Sequence, residues 1–168
     1  RDAKAAGAAR EDGFIAGLKN ADVTLFEENK RTSAFTLESG YESALDLLES
    51  KCDIDVISCA TDTIAAGAIE AIQTYLKKQI PTNAADAGAR MRYILENTSI
   101  RVTGFGDNQM LKAVTGGIPT IHFGYKTSGI RGAELLLDSI ERGEQIPIEM
   151  KLGFRLVGAD PSDSENLT

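Results

Sequence analysis

Small and apolar residues recur at helical spacing over residues 2–19, where Phe14, Ile15 and Leu18 follow an alanine-rich run, and a short β-rich run, 23–26, comes after a turn around Asn20. Ser39 and Glu42 then stand at capping-box spacing ahead of Ala44, Leu45, Leu47 and Leu48. Residues 55–60 form a nearly all-apolar strand, and the pattern predicts a helix over 63–77. Residues 81–99 open on Pro81 and are rich in Ala, Asn and Asp, with room for one short helix. They offer little apolar surface to bury, so this segment is predicted to be peripheral and removable. Beyond it the spacing predicts a strand at 100–104, a short helix at 109–114, a strand at 120–123, an amphipathic helix over 128–142 stopped at Gly143, and a final strand at 149–157. The tail GADPSDSENLT is polar and predicted to fray.

Strands alternating with helices imply parallel pairing through right-handed crossovers, hence an α/β layered fold. In such sheets ligands bind beyond the carboxyl ends of the strands, where a helix start offers free backbone N–H groups. Asp62 and Asp107 each stand at such an exit. The stretch CATDTIAAGA, residues 59–68, is the more informative one, because its apolar strand stops abruptly at Thr61 and Asp62. The Asp62 carboxylate either caps the following helix, holds a ligand, or does both. Gly67, within that helix, costs about 1 kcal/mol relative to Ala in helix propensity, which points to close backbone packing against a neighbouring element.

Composition narrows the function classes. The 168 residues are 42% hydrophobic and 26% charged, ordinary values for a globular protein with a real core. The net charge of −7 and the lack of any long Lys/Arg run argue against this stretch binding nucleic acid by itself. No segment approaches the roughly 18 consecutive apolar residues of a membrane helix, and the first residues lack the pattern of a signal peptide. The sequence opens without Met inside a predicted helix, which suggests a fragment of a longer chain. Cys52 and Cys59 are too few for a disulfide scaffold or zinc site and are expected to be ordinary thiols in a reducing compartment.

The chemistry-bearing candidates each have a plainer alternative. GFGDNQ, residues 104–109, fails as a dinucleotide fingerprint because Gln109 holds the third glycine position, so a tight turn is the better reading. His122, the sole histidine, lies in an apolar strand with no nucleophile motif nearby and is expected to be a core or edge residue. Phe123 and Tyr125 flank Gly124 at a strand end, where aromatic faces either stack on a sugar ring or simply pack. Arg10, just ahead of Gly13 and Phe14, either clamps vicinal hydroxyls or a phosphate through its planar fork of donors, or is solvated.

Taken in order, REDGFIAGL, ISCATDTIAAGAIEAI, IRVTGFGD, IPTIHFGYKTSGIRGAELLLDSI and KLGFRLV resemble the effector-binding core of the LacI/GalR family of sugar-responsive bacterial regulators. The resemblance covers most of the chain. It implies a periplasmic-binding-protein-like type I fold, a parallel sheet flanked by helices, with an effector in a cleft between two subdomains. It divides the chain into 1–124, the C-terminal subdomain without its first strand; 125–147, elements returning to the N-terminal subdomain; and 148–168, a final strand and tail. The DNA-binding domain would lie outside.

Carried over by position, Arg10 matches a contact to sugar hydroxyls, Thr61 and Asp62 match an Asn-Asp pair, and Tyr125 matches an aromatic lining the pocket. With Phe105, Asp107 and Phe123 these make the predicted ligand-binding set. Gly106 replaces a family carboxylate that grips sugar hydroxyls, so either Asp107 substitutes for it or the effector differs. The 81–99 segment is longer than the family's short loop, and GADPS lacks an Arg common near the end. HFGYKTSG looks most like repressors of sucrose or related disaccharide operons.

The resemblance implies a cytoplasmic homodimer that senses a sugar or sugar phosphate and meets operator DNA through the other domain. It implies no cofactor, no metal and no membrane partner. A sugar-binding protein of a transport system shares the fold and is the alternative. An enzyme is disfavoured because no nucleophile, base and orienting group occur together.

Overall fold

The computed structural model describes residues 2–50, 53–76, 86–143 and 148–158. Helix α1 (Asp2–Asn20) leads into an extended stretch and a single 3-10 turn at Glu27–Asn29. Residues 23–26, predicted as a strand, are extended but pair with no strand among the described residues, and Val23 and Phe26 remain about half exposed, at 50% and 56%. A β-rich run becomes a strand only when a neighbouring ladder takes its N–H and C=O groups.

Helix α2 (Leu37–Glu49) buries Gly40, Ala44 and Leu48 along one stripe. Its cap is Thr36 rather than Ser39: the Thr36 hydroxyl accepts from the Ser39 N–H at 3.2 Å, while the Ser39 hydroxyl accepts from the Ala34 N–H at 3.0 Å. Strand β1 (Val56–Ser58) leads to α3 (Asp62–Leu76), the most buried helix, with Ile69 and Ile72 among the largest fully buried side chains. The far end of the helix predicted over 63–77 lies outside the described residues.

Gly67 answers to the packing its sequence position suggested. A Cβ there would stand 2.1 Å from the Leu37 carbonyl oxygen and 2.5 Å from the Tyr41 nitrogen, and one on Gly40 would stand 2.6 Å from the Ile64 carbonyl oxygen. The two helices therefore meet backbone to backbone, which only a residue without Cβ permits at either position.

The segment 81–99 departs from its prediction. Helix α4 (Ala87–Glu96), capped by the Asp86 carboxylate on the Ala89 N–H, places Met91 and Ile94 in the core, Ile94 being 1% exposed. Few apolar residues suffice when helical spacing puts them on one face. Residues 81–85 lie outside the described part.

Strand β2 (Arg101–Thr103) pairs in parallel with β1, Val56 opposite Arg101 and Ser58 opposite Thr103, and buries Val102 beside Ile57. Helix α5 (Gln109–Thr115) is capped by the Asn108 side chain and stopped by Gly116 in the left-handed region. Strand β3 (Thr120–Phe123) pairs with β4 (Phe154–Val157), and this pair is antiparallel, unlike the general expectation. The predicted 149–157 strand shortens to β4 because its partner ends at Phe123. The loop after β2 joins the two pairs: Gly104 N–H bonds the Pro119 carbonyl at 2.8 Å, and Gly106 N–H bonds that of Ile121 at 3.0 Å.

Helix α6 (Tyr125–Arg142) starts directly after β3, three residues ahead of its predicted start, and ends at Gly143 as expected. It buries none of its residues. Ile130, Leu136, Leu137 and Ile140 stand exposed along it, up to 67% for Ile140.

Candidate functional site

The exits of β1, β2 and β3 converge on the start of α3, and there the short polar and glycine residues decide the geometry. Thr61 is the cap, its hydroxyl accepting from the Ile64 N–H at 3.2 Å, so the capping role weighed for Asp62 belongs to its neighbour. Asp62 lies one residue further in, 4% exposed, and both of its oxygens are engaged. Oδ1 accepts from the Thr120 hydroxyl at 2.7 Å, and Oδ2 accepts from the Asn108 N–H. Gly104 leaves the room this requires, since a Cβ there would stand 2.1 Å from Oδ1. The carboxylate thus bolts α3 to the turn after β2 and to β3.

Asp107 is the second buried carboxylate, 8% exposed, on a backbone in the left-handed region with φ 51°. Its N–H donates to the Thr120 hydroxyl at 3.3 Å, and its Oδ2 lies 2.7 Å from Nδ1 of His122. With Asp107 ionised, Nδ1 carries the proton and donates it. His122 is therefore a tethered, part-buried residue of the strand edge, in line with its expected structural role.

Four of the predicted residues form one continuous wall. The Arg10 guanidinium sits 4.0 Å from the centroid of the Phe105 ring and donates through Nη1 to the Ala60 carbonyl at 2.8 Å. Phe105 packs on Phe123 with ring centroids 4.9 Å apart, and Phe123 meets Tyr125 edge-on at 5.9 Å. The Tyr125 hydroxyl donates to the Gly106 carbonyl at 3.1 Å. Arg10, Phe105, Phe123 and Tyr125 thus stand together, with Thr61 next to the carbonyl that Arg10 grips. Asp62 and Asp107 fix the turn after β2 and strand β3, which carry Phe105 and Phe123.

Arg10 also has a structural duty that its sequence position did not announce. Helix α1 shows no buried residue among those whose exposure is described, and the Arg10 bond to Ala60 ties it to the strand exits. Thr120 and the Ala60 carbonyl are the participants missed from sequence, as is the tie of His122 to Asp107. The spacing of Thr120 and His122 carried a signal: two residues apart on one strand, they share a face, and both reach Asp107. A separate hollow of about 260 Å³, lined in part by Asp62, Asp107, Asn108, Lys112 and Val157, includes none of the four wall residues.

Cys59, at the end of β1, is buried, and that burial pushes its thiol up to about 12, with the negative charge of Asp62 adding to the effect. It is no nucleophile at neutral pH. Among the described residues no group of three or more His, Cys, Asp or Glu side chains could hold a metal ion, and no helix is long and apolar enough to cross a membrane.

Known structures share this fold. The chain superposes on a CelR–cellobiose complex described as a transcriptional regulator with a TM-score of 0.69 at 20% identity, covering 88% of this chain and 40% of that one. A LacI-family regulator from Enterococcus faecium with bound ribose gives a TM-score of 0.65 at 21% identity, over 89% of this chain and 49% of that one. The described fold is the α/β fold that these regulators share, the Lac repressor and a LacI regulator from Bacillus cereus among them.

By sequence, the chain is similar to the HTH-type transcriptional repressor PurR of Yersinia enterocolitica, 27% identical over 151 residues, and to that of Pectobacterium carotovorum, 30% identical over 134 residues. These alignments take in 90% and 80% of the chain but only 39% and 34% of the two relatives, so the chain spans little more than a third of their length. No protein-family model matches the sequence.

Proposed function

We propose that the chain is the effector-binding part of a LacI-family transcriptional regulator. A sugar or sugar phosphate lies against the wall of Arg10, Phe105, Phe123 and Tyr125, and its binding changes the relation of two subdomains and thereby the grip of a separate domain on operator DNA. The observation that carries this reading is the guanidinium stacked on Phe105 at the strand exits, because a planar fork of donors beside aromatic faces suits a sugar ring with adjacent oxygens. Thr61 borders the same place, while Asp62 and Asp107 serve it by fixing the turn.

The proposed division of the chain follows the same lines: 1–124 as the C-terminal subdomain, 125–147 as elements of the other subdomain, and 148–168 as the closing strand and tail. The bare apolar stripe of α6 supports that boundary, since a helix with nothing to pack on in its own lobe suits a second one. The protein acts in the cytoplasm as a homodimer and catalyses no reaction. A more specific reading, a repressor of a sucrose or related disaccharide operon, rests on HFGYKTSG alone.

A thermal-shift screen of the full-length protein against sugars and sugar phosphates is the test. A ligand that binds the folded state raises the melting temperature by mass action. Arg10→Ala then weakens that ligand ten-fold or more, since each charge-assisted hydrogen bond is worth about 1.5 to 3 kcal/mol. A hit whose affinity Arg10→Ala leaves unchanged removes the wall from the binding site.

A further inference from the structure

The hollow beside α5 is lined by charges of opposite sign that no contact joins. Asp107 lines it with a side chain only 5% exposed, and one of its oxygens, Oδ2, faces His122. The other, Oδ1, has no hydrogen-bond partner among the described residues. It is not sealed either, for the one sealed side-chain oxygen or nitrogen left without a partner among them is Oδ1 of Asn29. Oδ1 of Asp107 therefore opens onto the hollow that its residue lines. Asp62, the second buried carboxylate of the lining, is held by the Thr120 hydroxyl and the Asn108 N–H, which are neutral donors. The uncharged ring of His122 likewise gives Asp107 a hydrogen bond and no charge, and the charged ring would balance one carboxylate of the two. Burying a carboxylate without a cation is costly, so the hollow favours a positive charge.

The positive charge of the lining stays apart. Lys112 borders the same hollow from α5, is exposed, and makes no ion pair or side-chain hydrogen bond among the described residues. The sequence after Val157, GADPSDSENLT, contains no Lys, Arg or His. A metal ion is a poor fit, because no three acidic, His or Cys side chains among the described residues could hold one. Leu111, Ile118 and Val157 give the lining an apolar part, and the volume of about 260 Å³ admits roughly eight water-sized groups at about 30 Å³ each. We infer that the hollow binds a small zwitterion, an α-amino acid with a short apolar side chain such as valine. Its ammonium group donates to Oδ1 of Asp107, its carboxylate accepts from Lys112, and its side chain lies against Leu111, Ile118 and Val157. A simple cation would leave Lys112 unpaired, and a simple anion would leave Asp107 so.

Calorimetry on the full-length protein tests this with L-valine and L-alanine, and with isobutylamine and isovalerate, which are valine without its carboxylate and without its ammonium group. The expected result is that valine or alanine binds, and that isobutylamine and isovalerate each bind about ten-fold or more weakly than valine. Asp107→Asn lowers the affinity for valine about ten-fold or more. Lys112→Met, an exposed change that leaves the turn alone, lowers it similarly and leaves that of isobutylamine as it was. No binding of valine or alanine overturns the inference. So does isobutylamine or isovalerate bound as tightly as valine, or a Lys112→Met protein that binds valine as the parent does. The sugar-sensing function is judged separately, since the hollow shares none of the four wall residues.

Discussion

Glycine does opposite work from its usual effect inside α3. By propensity alone Gly67→Ala would stabilise that helix by about 1 kcal/mol. With the Leu37 carbonyl oxygen 2.1 Å from the new methyl, α2 and α3 must instead move apart, and the variant is expected to lose about 1 to 3 kcal/mol in urea unfolding. Thr120→Val keeps the shape of its side chain while depriving Asp62 Oδ1 of its donor and the Asp107 N–H of its acceptor. Leaving a buried carboxylate short of a partner costs about 1 to 3 kcal/mol, and the same unfolding experiment measures it. Cys59 gives a pH dependence with a definite sign. Its thiol rises from 9.0 to about 12 on folding, so the folded chain keeps the proton that the unfolded chain releases. The contribution is intact below about pH 9 and is lost as pH rises from there toward 12, at up to roughly 1.4 kcal/mol per pH unit. Comparison with Cys59→Ala over that range isolates it; equal slopes for the two proteins contradict the assignment.

Among the helices and strands, those with strong periodicity were legible and those defined by their neighbours were not. Helix α3, strands β1 and β2, and the Gly143 stop of α6 all follow from residue spacing. The 23–26 run has the composition of a strand but lacks a partner among the described residues, which no local pattern reveals. Asp62 stood out correctly as a residue at a strand exit, yet its partners Thr120 and Asn108 are distant in sequence, so its role as a bolt was invisible. Arg10 and Phe105 were singled out separately, and only the fold stacks one on the other. Helix α4 is the clearest correction, and it carries its own prediction. Ile94→Ala is expected to destabilise the protein by about 2 to 5 kcal/mol, the cost of a cavity in a packed core, and deletion of 81–99 to prevent cooperative unfolding altogether. Differential scanning calorimetry decides between this and a dispensable loop.

Across the molecule, apolar side chains gather at two places that the described residues leave uncovered. Phe35, Leu37, Val56 and Tyr75 are exposed around the α2–α3 layer, and Ile130, Leu136, Leu137 and Ile140 run along α6. Symmetric pairing would cover the first set, and light scattering of the full-length protein at micromolar concentration is expected to give the mass of a dimer. A monomer mass at every concentration removes that proposal. The contact of Gly40 with α3 and of Gly67 with α2 has a further consequence, in time rather than in space. It joins two helices that follow one another closely along the chain, so its loop is short and inexpensive to close. The β1–β2 and β3–β4 pairs bridge longer separations. The α2–α3 pair is therefore the natural place for folding to begin, and in pulse-labelled hydrogen exchange its amides should gain protection before those of β3 and β4.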